Sequence, residues 1–451
     1  MSSTFGGIQQ AANSIGTARY GLDVVSQNIA NANTPGYTRQ ASEQATMDGV
    51  AGVPSIYTRP AGLGGVTVVG TARLTDPVLD ARARTEHSRG AAADANAAQL
   101  STIENVFPEP SDTGLGKQLN DFWAAWTPVA NDPGSEAPRT VLLQSAATVA
   151  STLNSMTTSL SDAAASTSQS LNQSLAAANS AASQLTTLNS QIAIGTATGA
   201  NVNSLLDQRD QVLGQLSTLV GGTATINVNG SADVTVGGQS LVSGTTANTL
   251  TVDSSYQVSV GGTAVTLTGG SAAANVTGLT VTIPNYQSQL DSVANTLAST
   301  VNSAQTGGYD LAGNAGTPMF TGTGAAGITV AITDPNLIAA SKTPGGNLDG
   351  SNALAASALG ADPASADHVY ASLVGNVASA SSLAQQQQAT QASVTTSVDS
   401  QRTSVSGVNY DEEVSNMLTY QRAYQASSRV LTTMDSMLDT LINHTGMVGL
   451  T

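Results

Sequence analysis

Three histidines stand in this chain, His87, His368 and His444, and there is no cysteine. No histidine has a second histidine or a carboxylate at zinc-ligand spacing, and no His-Glu-x-x-His occurs, so each is expected at the surface. The missing cysteines exclude disulfides and thiolate metal sites. No Gly-x-Ser-x-Gly elbow is present. Gly322-Thr-Gly-Ala-Ala-Gly327 matches the dinucleotide fingerprint. It precedes a strand-like run over 328–332 instead of following a strand and opening a helix, so the spacing predicts a loop. Glu412-Glu413 begins a helical pattern, where the helix dipole explains paired carboxylates better than acid–base work does. Asp207, Arg209 and Asp210 read as a solvated helix face or as charges for contacts between subunits. No catalytic, cofactor or metal site is expected, and the chain is not expected to be an enzyme.

Composition narrows the class. The chain has 451 residues, a formal net charge of −16, 40% hydrophobic and 4% aromatic residues, and 10% charged residues. Its cores must be built from Ala, Leu, Val and Ile, and its surface must rely on Ser, Thr, Asn, Gln and Gly. Lys117 and Lys342 are the only lysines. The arginines are scattered, and Arg82, Arg84 and Arg89 read as a solvated helix face. Neither a nucleic-acid partner nor a membrane partner is expected from this balance. Residues 1–18 lack the pattern of a secretory signal peptide, and no stretch approaches a membrane span. The expectation is a cytoplasmic chain or one exported with its N-terminus uncleaved.

The elements that must position these residues fall in three blocks. Helices are predicted over about 4–30, 78–106, 115–130, 137–165, 166–195 and 203–220, with Pro77 opening the second and a strand or hairpin within 41–70. From Gly221 to Ile283 short β-branched runs alternate with Gly, Asn and Ser, which predicts a small all-β insertion of hairpins. Helical pattern resumes at Pro284, followed by a loop-rich stretch with one strand over 328–333, and then by helices over 365–444. The predicted fold is mainly α with a small all-β insertion. Its N- and C-terminal helices pack in a long bundle, and the β domain projects outward. The expected domains are a terminal coiled coil (1–60 plus 400–451), a helical rod (61–220 plus 284–399) and an outer β domain (221–283).

Both chain ends carry a seven-residue period. Ile8, Ile15, Leu22 and Ile29 form one row, and Ala11, Ala18 and Val25 the other. At the far end Met417, Tyr420, Tyr424, Leu431, Met434, Leu438 and Leu441 follow the same period. Burying Ile8, Ile15, Leu22, Val25 and Ile29 does not offset the backbone entropy of ordering about 27 residues at ~1–2 kcal/mol each. The seam therefore needs a partner, either the C-terminal seam or neighbouring subunits. Both ends are expected to be poorly ordered in a free monomer and helical on assembly. Asn31, Asn33, Pro35 and Gly36 stop the first helix, Pro-Gly suiting the centre of a type II turn. Tyr37 is expected to offer an aromatic face to a neighbour.

The turn Ala30-Asn-Ala-Asn-Thr-Pro-Gly-Tyr37 resembles the signature of the axial proteins of the bacterial flagellum. The following Thr38-Arg39-Gln40 is more similar to the hook-associated protein 1 family than to rod or hook protein. Further segments resemble that family: 205–213, 301–302 with 308–314 and 319–320, 332–340, 406–413 and 420–426. They cover both ends and several interior points but not the β insertion. The resemblance implies a ring of subunits at the hook–filament junction, with terminal helices lining an inner tube and the β domain facing out. Hook protein, a second junction protein and copies of the chain itself would be its partners. The chain would leave the cell through the flagellar export apparatus, with a cytoplasmic chaperone on its C-terminal helix beforehand. A larger outer domain of some relatives would be missing, and the tail 446–451 has no assigned role. The competing reading is a secreted β-rich adhesin or surface-binding module, which has no need of paired assembly helices at its two ends.

Overall fold

The computed structural model describes residues 4–46, 65–345 and 348–444, so the tail 446–451 lies outside the described residues. Helix α1 (Thr4–Asn31) ends where Pro35-Gly36 turn the chain. Tyr37 N donates to Thr34 O at 3.1 Å and Gly36 takes a φ of 78°, as the type II turn requires. Strand β1 (Gln40–Thr46) then pairs antiparallel with β2 (Val66–Arg73), Gln40 opposite Arg73, with a bulge after Glu43. This is the expected hairpin, and its connection over 47–64 lies outside the described residues. Helix α2 (Pro77–Glu104) starts at Pro77, behind Asp76, whose carboxylate accepts from the N–H groups of Val78 and Leu79.

Helices α3 (Leu115–Ala124) and α4 (Trp126–Asn131) lead into α5 (Glu136–Thr198). The two helices expected over 137–165 and 166–195 are one helix of 63 residues, about 95 Å long. No Gly or Pro falls between Pro138 and Gly195, so nothing breaks it. It closes on Gly199 at φ 72°, and α6 (Asn203–Val220) closes the same way on Gly221 at φ 70°.

The β insertion makes two small antiparallel sheets. One holds β3 (Thr223–Ile226), β4 (Ala232–Val236), β5 (Gln239–Ser243) and β6 (Thr246–Ala247) in that order. The other holds β7 (Leu250–Val252), β8 (Val258–Val260) and β9 (Thr263–Ala264). Helix returns earlier than expected, at Gly270 and not at Pro284. Helix α7 (Gly270–Thr277), one wide turn (Gly278–Thr282) and α8 (Ile283–Thr306) follow without a gap. Ala272, Leu279 and Ile283 are buried at helical spacing there, and that burial overrides the strand preference of Thr280-Val-Thr.

The strand expected over 328–333 is reduced to two residues. Strand β10 (Phe320–Thr321), the single turn α9 (Gly324–Gly327) and β11 (Thr329–Val330) form a small unit. After α10 (Ser351–Ser357) come the long α11 (Ala366–Ser406) and α12 (Tyr410–Asp439), separated at residues 407–409. Asn409 caps α12, its side chain accepting from the N–H groups of Asp411 and Glu412.

Two cores share α5. Its first half packs with α2, α3, α8 and α11 around Phe122, Trp126 and Phe320, where the scarce aromatic residues gather. Its second half packs with α6 and the two sheets around Leu, Val and Ala. The fold is mainly α with a small β insertion, and α1 and α12 pack together, as the terminal periods predict. Among the described residues no helix is long and apolar enough to cross a membrane.

Candidate assembly interface

Helices α1 and α12 run antiparallel, and the turn after α1 is bonded to the start of α12. Asn28, buried in α1, donates from Nδ2 to Gln40 O at 2.8 Å and to Glu413 Oε2 at 3.0 Å. Its Oδ1 accepts from Gln40 N at 3.0 Å and from the Tyr37 hydroxyl at 2.9 Å. Arg39 donates from Nε to Glu413 Oε1 at 2.8 Å and from Nη1 to Glu412 Oε2 at 2.7 Å. Its backbone N–H donates to Ser406 O at 2.9 Å, at the end of α11. Glu413 is 1% exposed, yet both its carboxylate oxygens are bonded. Glu412 and Glu413 stand in the first turn of α12, as the dipole reading expects, and the pair also answers Arg39 across the chain. Burial, then the charges of Asp207 and Glu413, push the Tyr37 hydroxyl up to about 12, which keeps it a donor.

A second polar cluster fixes the other side of the turn. Asp207 and Arg209 are 7% and 6% exposed, which overturns the solvated-face reading. Arg73 of β2 places Nη2 2.8 Å from Asp207 Oδ1 and 2.7 Å from Asp210 Oδ2, and also donates to Thr38 Oγ1 at 3.2 Å. Arg209 donates to Asp210 Oδ1 and to Gly230 O. Gln211 Nε2 donates to Pro35 O at 2.9 Å. Asn203, at the start of α6, donates to Gln40 Oε1 and Thr71 O. Burial pushes the Asp207 carboxyl up, and Arg73 acts against it. Between this cluster, α2 and α11 lies a cavity of about 330 Å³ lined by Asp80, Arg84, His87 and Arg402 among others. Burial lowers the Arg84 guanidinium and raises the Asp80 carboxyl there. Arg84 is thus half-buried, unlike the exposed Arg82 and Arg89. His87 is no bare surface residue either, since its Nε2 lies 3.0 Å from Asp399 Oδ1. His368 is exposed beside Ser365, and the His444 side chain lies outside the described residues.

The residues expected at the interface divide by burial. On α1, Val25 is buried, while Ile8, Ile15, Leu22 and Ile29 are half-buried. Thr17, Ala11, Ala18 and Val24 are buried too. Gly21 and Gly7 have large partners: a Cβ at Gly21 would lie 2.5 Å from the Tyr420 ring, and one at Gly7 2.8 Å from Met434 Cε. Asn31 is half-buried and bonded within the turn, and Tyr37 is half-buried with its hydroxyl used inside the chain. Asn33, Pro35 and Gly36 are exposed. On α12, Met417, Tyr420, Leu431, Met434 and Leu438 are half-buried, and the Tyr420 hydroxyl lies 3.2 Å from Ser42 Oγ. Tyr424 and Leu441 are exposed.

Sequence reasoning left Asn28 out and named Glu413 only for the helix dipole, because neither falls on the apolar period. It also missed Val430 and Met437, which lie on α12 beside the seam and stay 47% and 52% exposed. The Gly322–Gly327 segment holds a helical turn and not a plain loop, but its N–H groups are taken. Gly324 N donates to Asn295 Oδ1 and Ala325 N to Asp291 Oδ1, so they do not face a phosphate.

Comparison with known proteins matches these same pieces. The family described as flagellar hook-associated protein FlgK helical domain matches residues 100–320. The flagellar basal body rod FlgEFG protein C-terminal family matches 399–444, and the flagella basal body rod protein family matches 17–38. Flagellar hook-associated protein 1 of Bacillus subtilis is 28% identical, with all of each chain covered. Its counterpart from Escherichia coli is 27% identical over 97% of this chain and 99% of its own. The structure of the flagellar hook junction protein FlgK from Burkholderia pseudomallei shares the fold. It has a TM-score of 0.65 at 18% identity and covers 72% of this chain and all of its own. Paired end helices around a helical body, matched from end to end, define a structural protein of the bacterial flagellum. Within that class the chain belongs to the hook-associated protein 1 family.

Proposed function

We propose that the chain is the subunit that joins the flagellar hook to the filament. It assembles as a ring with copies of itself, with hook protein on one side and a second junction protein on the other. One observation carries this reading: α12 has a second apolar flank that stays exposed among the described residues. Val430 and Met437 are 47% and 52% exposed beside a seam that already faces α1. Exposed apolar stripes of this kind mark surfaces that another molecule covers. The assembly surface then comprises the seam residues of both ends together with this flank. The terminal pair lines the inner tube, and the two small sheets face outward.

The same exposed flank is where a cytoplasmic chaperone would hold α12 before export of the uncleaved chain through the flagellar apparatus. Electron microscopy of a deletion strain tests the reading. The expected result is hooks without filaments and flagellin shed into the medium. Full filaments on the deletion strain would sink it, and would leave a surface-binding role for the β insertion. Deletion of residues 1–30 separates the two: it abolishes incorporation but leaves surface binding intact.

A further inference from the structure

The contacts between α1 and α12 fall on whole heptads. Gly7 meets Met434, Gly21 meets Tyr420, and Asn28 meets Glu413. Along α1 these positions step from 7 to 21 to 28, and along α12 they step back from 434 to 420 to 413. The apolar rows repeat with the same period, Ala11, Ala18 and Val25 on one side and Leu431 and Leu438 on the other. A slide of seven residues, about 10.5 Å, therefore sets apolar residues against apolar residues again. The connections permit it. Seven residues released from helix into extended chain gain about 13 Å, more than the slide needs.

What does not repeat is the polar contact. A slide in one direction puts Glu413 opposite Gly21, stripping a buried carboxylate of Asn28 and Arg39. A slide in the other direction puts Asn28 under the Tyr420 ring, with its Nδ2 and Oδ1 cut from their partners. Buried polar groups without partners are costly, and a buried polar pair within an apolar seam is the best-attested device for fixing register.

We propose that Asn28 and Glu413 are positioning residues that set the axial register of α1 against α12. Gly21 opposite Tyr420 reinforces them sterically. The register in turn fixes where the apolar flank of α12 stands relative to the turn at Pro35-Gly36. It is a property of the single chain, so its test does not depend on the flagellar reading.

Because the chain lacks cysteine, disulfide trapping reads the register directly. Ser14 and Ser427 hold the heptad step between the Gly7 and Gly21 contacts, so S14C/S427C reports the native register in the full chain. S14C/M434C and G7C/S427C report the two slid registers, and neither removes Asn28, Glu413, Gly21 or Tyr420. In the otherwise native chain, S14C/S427C is expected to link and the other two to stay near background. With N28L and E413L added, at least one slid link is expected to rise fivefold or more while the native link falls. An unchanged native link in the N28L/E413L background overturns the proposal. So does loss of all three links, which would mark the pair as holding the helices together without choosing their register.

Discussion

Arg39 and Glu413 lie 374 residues apart in the chain and 2.8 Å apart in the fold. Arg39 follows the N-terminal turn, and Glu413 sits in the first turn of α12. The ion pair therefore joins the two ends of the protein at the point where each meets the helical body. The Arg39 side chain is 18% exposed and that of Glu413 2%, so loss of either partner is not equivalent.

Arg39→Ala leaves Glu413 buried with Asn28 as its remaining side-chain donor. The expected cost is about 2–3 kcal/mol, below the ~3–5 of a fully buried pair because the arginine head reaches solvent. Hydrogen exchange over residues 8–29 is the measurement: with α1 packed on α12 in the single chain, protection is expected in the native protein, against the expectation of ends that order only on assembly, and is expected to fall in Arg39→Ala. Adding Glu413→Leu to Arg39→Ala is expected to restore part of it, since the stranded charge is gone. No change in protection in Arg39→Ala would refute the lock.

Gly21 and Gly16 make opposite predictions on one helix. An added Cβ at Gly21 meets the Tyr420 ring, while nothing lies within 4 Å of one at Gly16. Gly16→Ala is expected to stabilise the helix by up to ~1 kcal/mol through propensity alone. Gly21→Ala gains the same propensity but forces the ring away, at a cost of roughly 1–3 kcal/mol. Thermal unfolding followed by circular dichroism separates the two, and equal shifts would contradict the packing.

Tyr37 predicts an alkaline transition. Its ordinary value is 10.0 and the folded chain raises it to about 12, so the fold favours the protonated phenol. That contribution is whole below pH 10 and is lost as pH climbs towards 12. Tyr37→Phe is expected to shrink the alkaline step of a stability-against-pH curve, to which the buried Tyr286 and Tyr370 also contribute, and to weaken the turn at neutral pH, where Asn28 Oδ1 loses a donor. A Tyr37→Phe curve with an undiminished alkaline step would assign all of it to other groups.

Asp207 predicts asymmetry between two partners. Burial raises its carboxyl despite Arg73, so its charged form is disfavoured in the fold and acidification does not cost stability through this group. Asp207→Asn is expected to change stability by no more than ~1 kcal/mol, because Arg73 keeps Asp210. Arg73→Ala leaves the buried Asp207 without its ion-pair partner, while Asp210 keeps Arg209, and is expected to cost about 3 kcal/mol. Equal losses in urea unfolding would contradict this ordering.

Val430→Asp and Met437→Asp test the proposed outer flank of α12. Both positions are exposed, so the helix content of the free chain is expected to stay unchanged. Filament attachment in a complemented deletion strain is expected to fall sharply. Normal filaments would place the neighbouring subunit elsewhere.

The sequence alone determined the parts governed by local rules. A seven-residue period writes an apolar seam into each end, Pro-Gly sets a turn, and Pro77 behind Asp76 opens a helix. The run of β-branched residues between glycines marked the insertion, and the signature turn with its C-terminal counterpart marked the family. These signals are legible because they depend on neighbours within a few residues.

The tertiary structure decided what depends on partners far along the chain. Glu413 read only as a dipole residue, and the fold added Arg39 and Asn28 as its partners, while Asp207 looked solvated until Arg73 arrived from β2. Helix replaced strand at 270–282 because Ala272 and Leu279 had a core to enter. Gly21 carried no signal in the sequence, because its role is the space it leaves for Tyr420. A side chain's partner is fixed by proximity, and proximity across hundreds of residues exists only once the chain has folded.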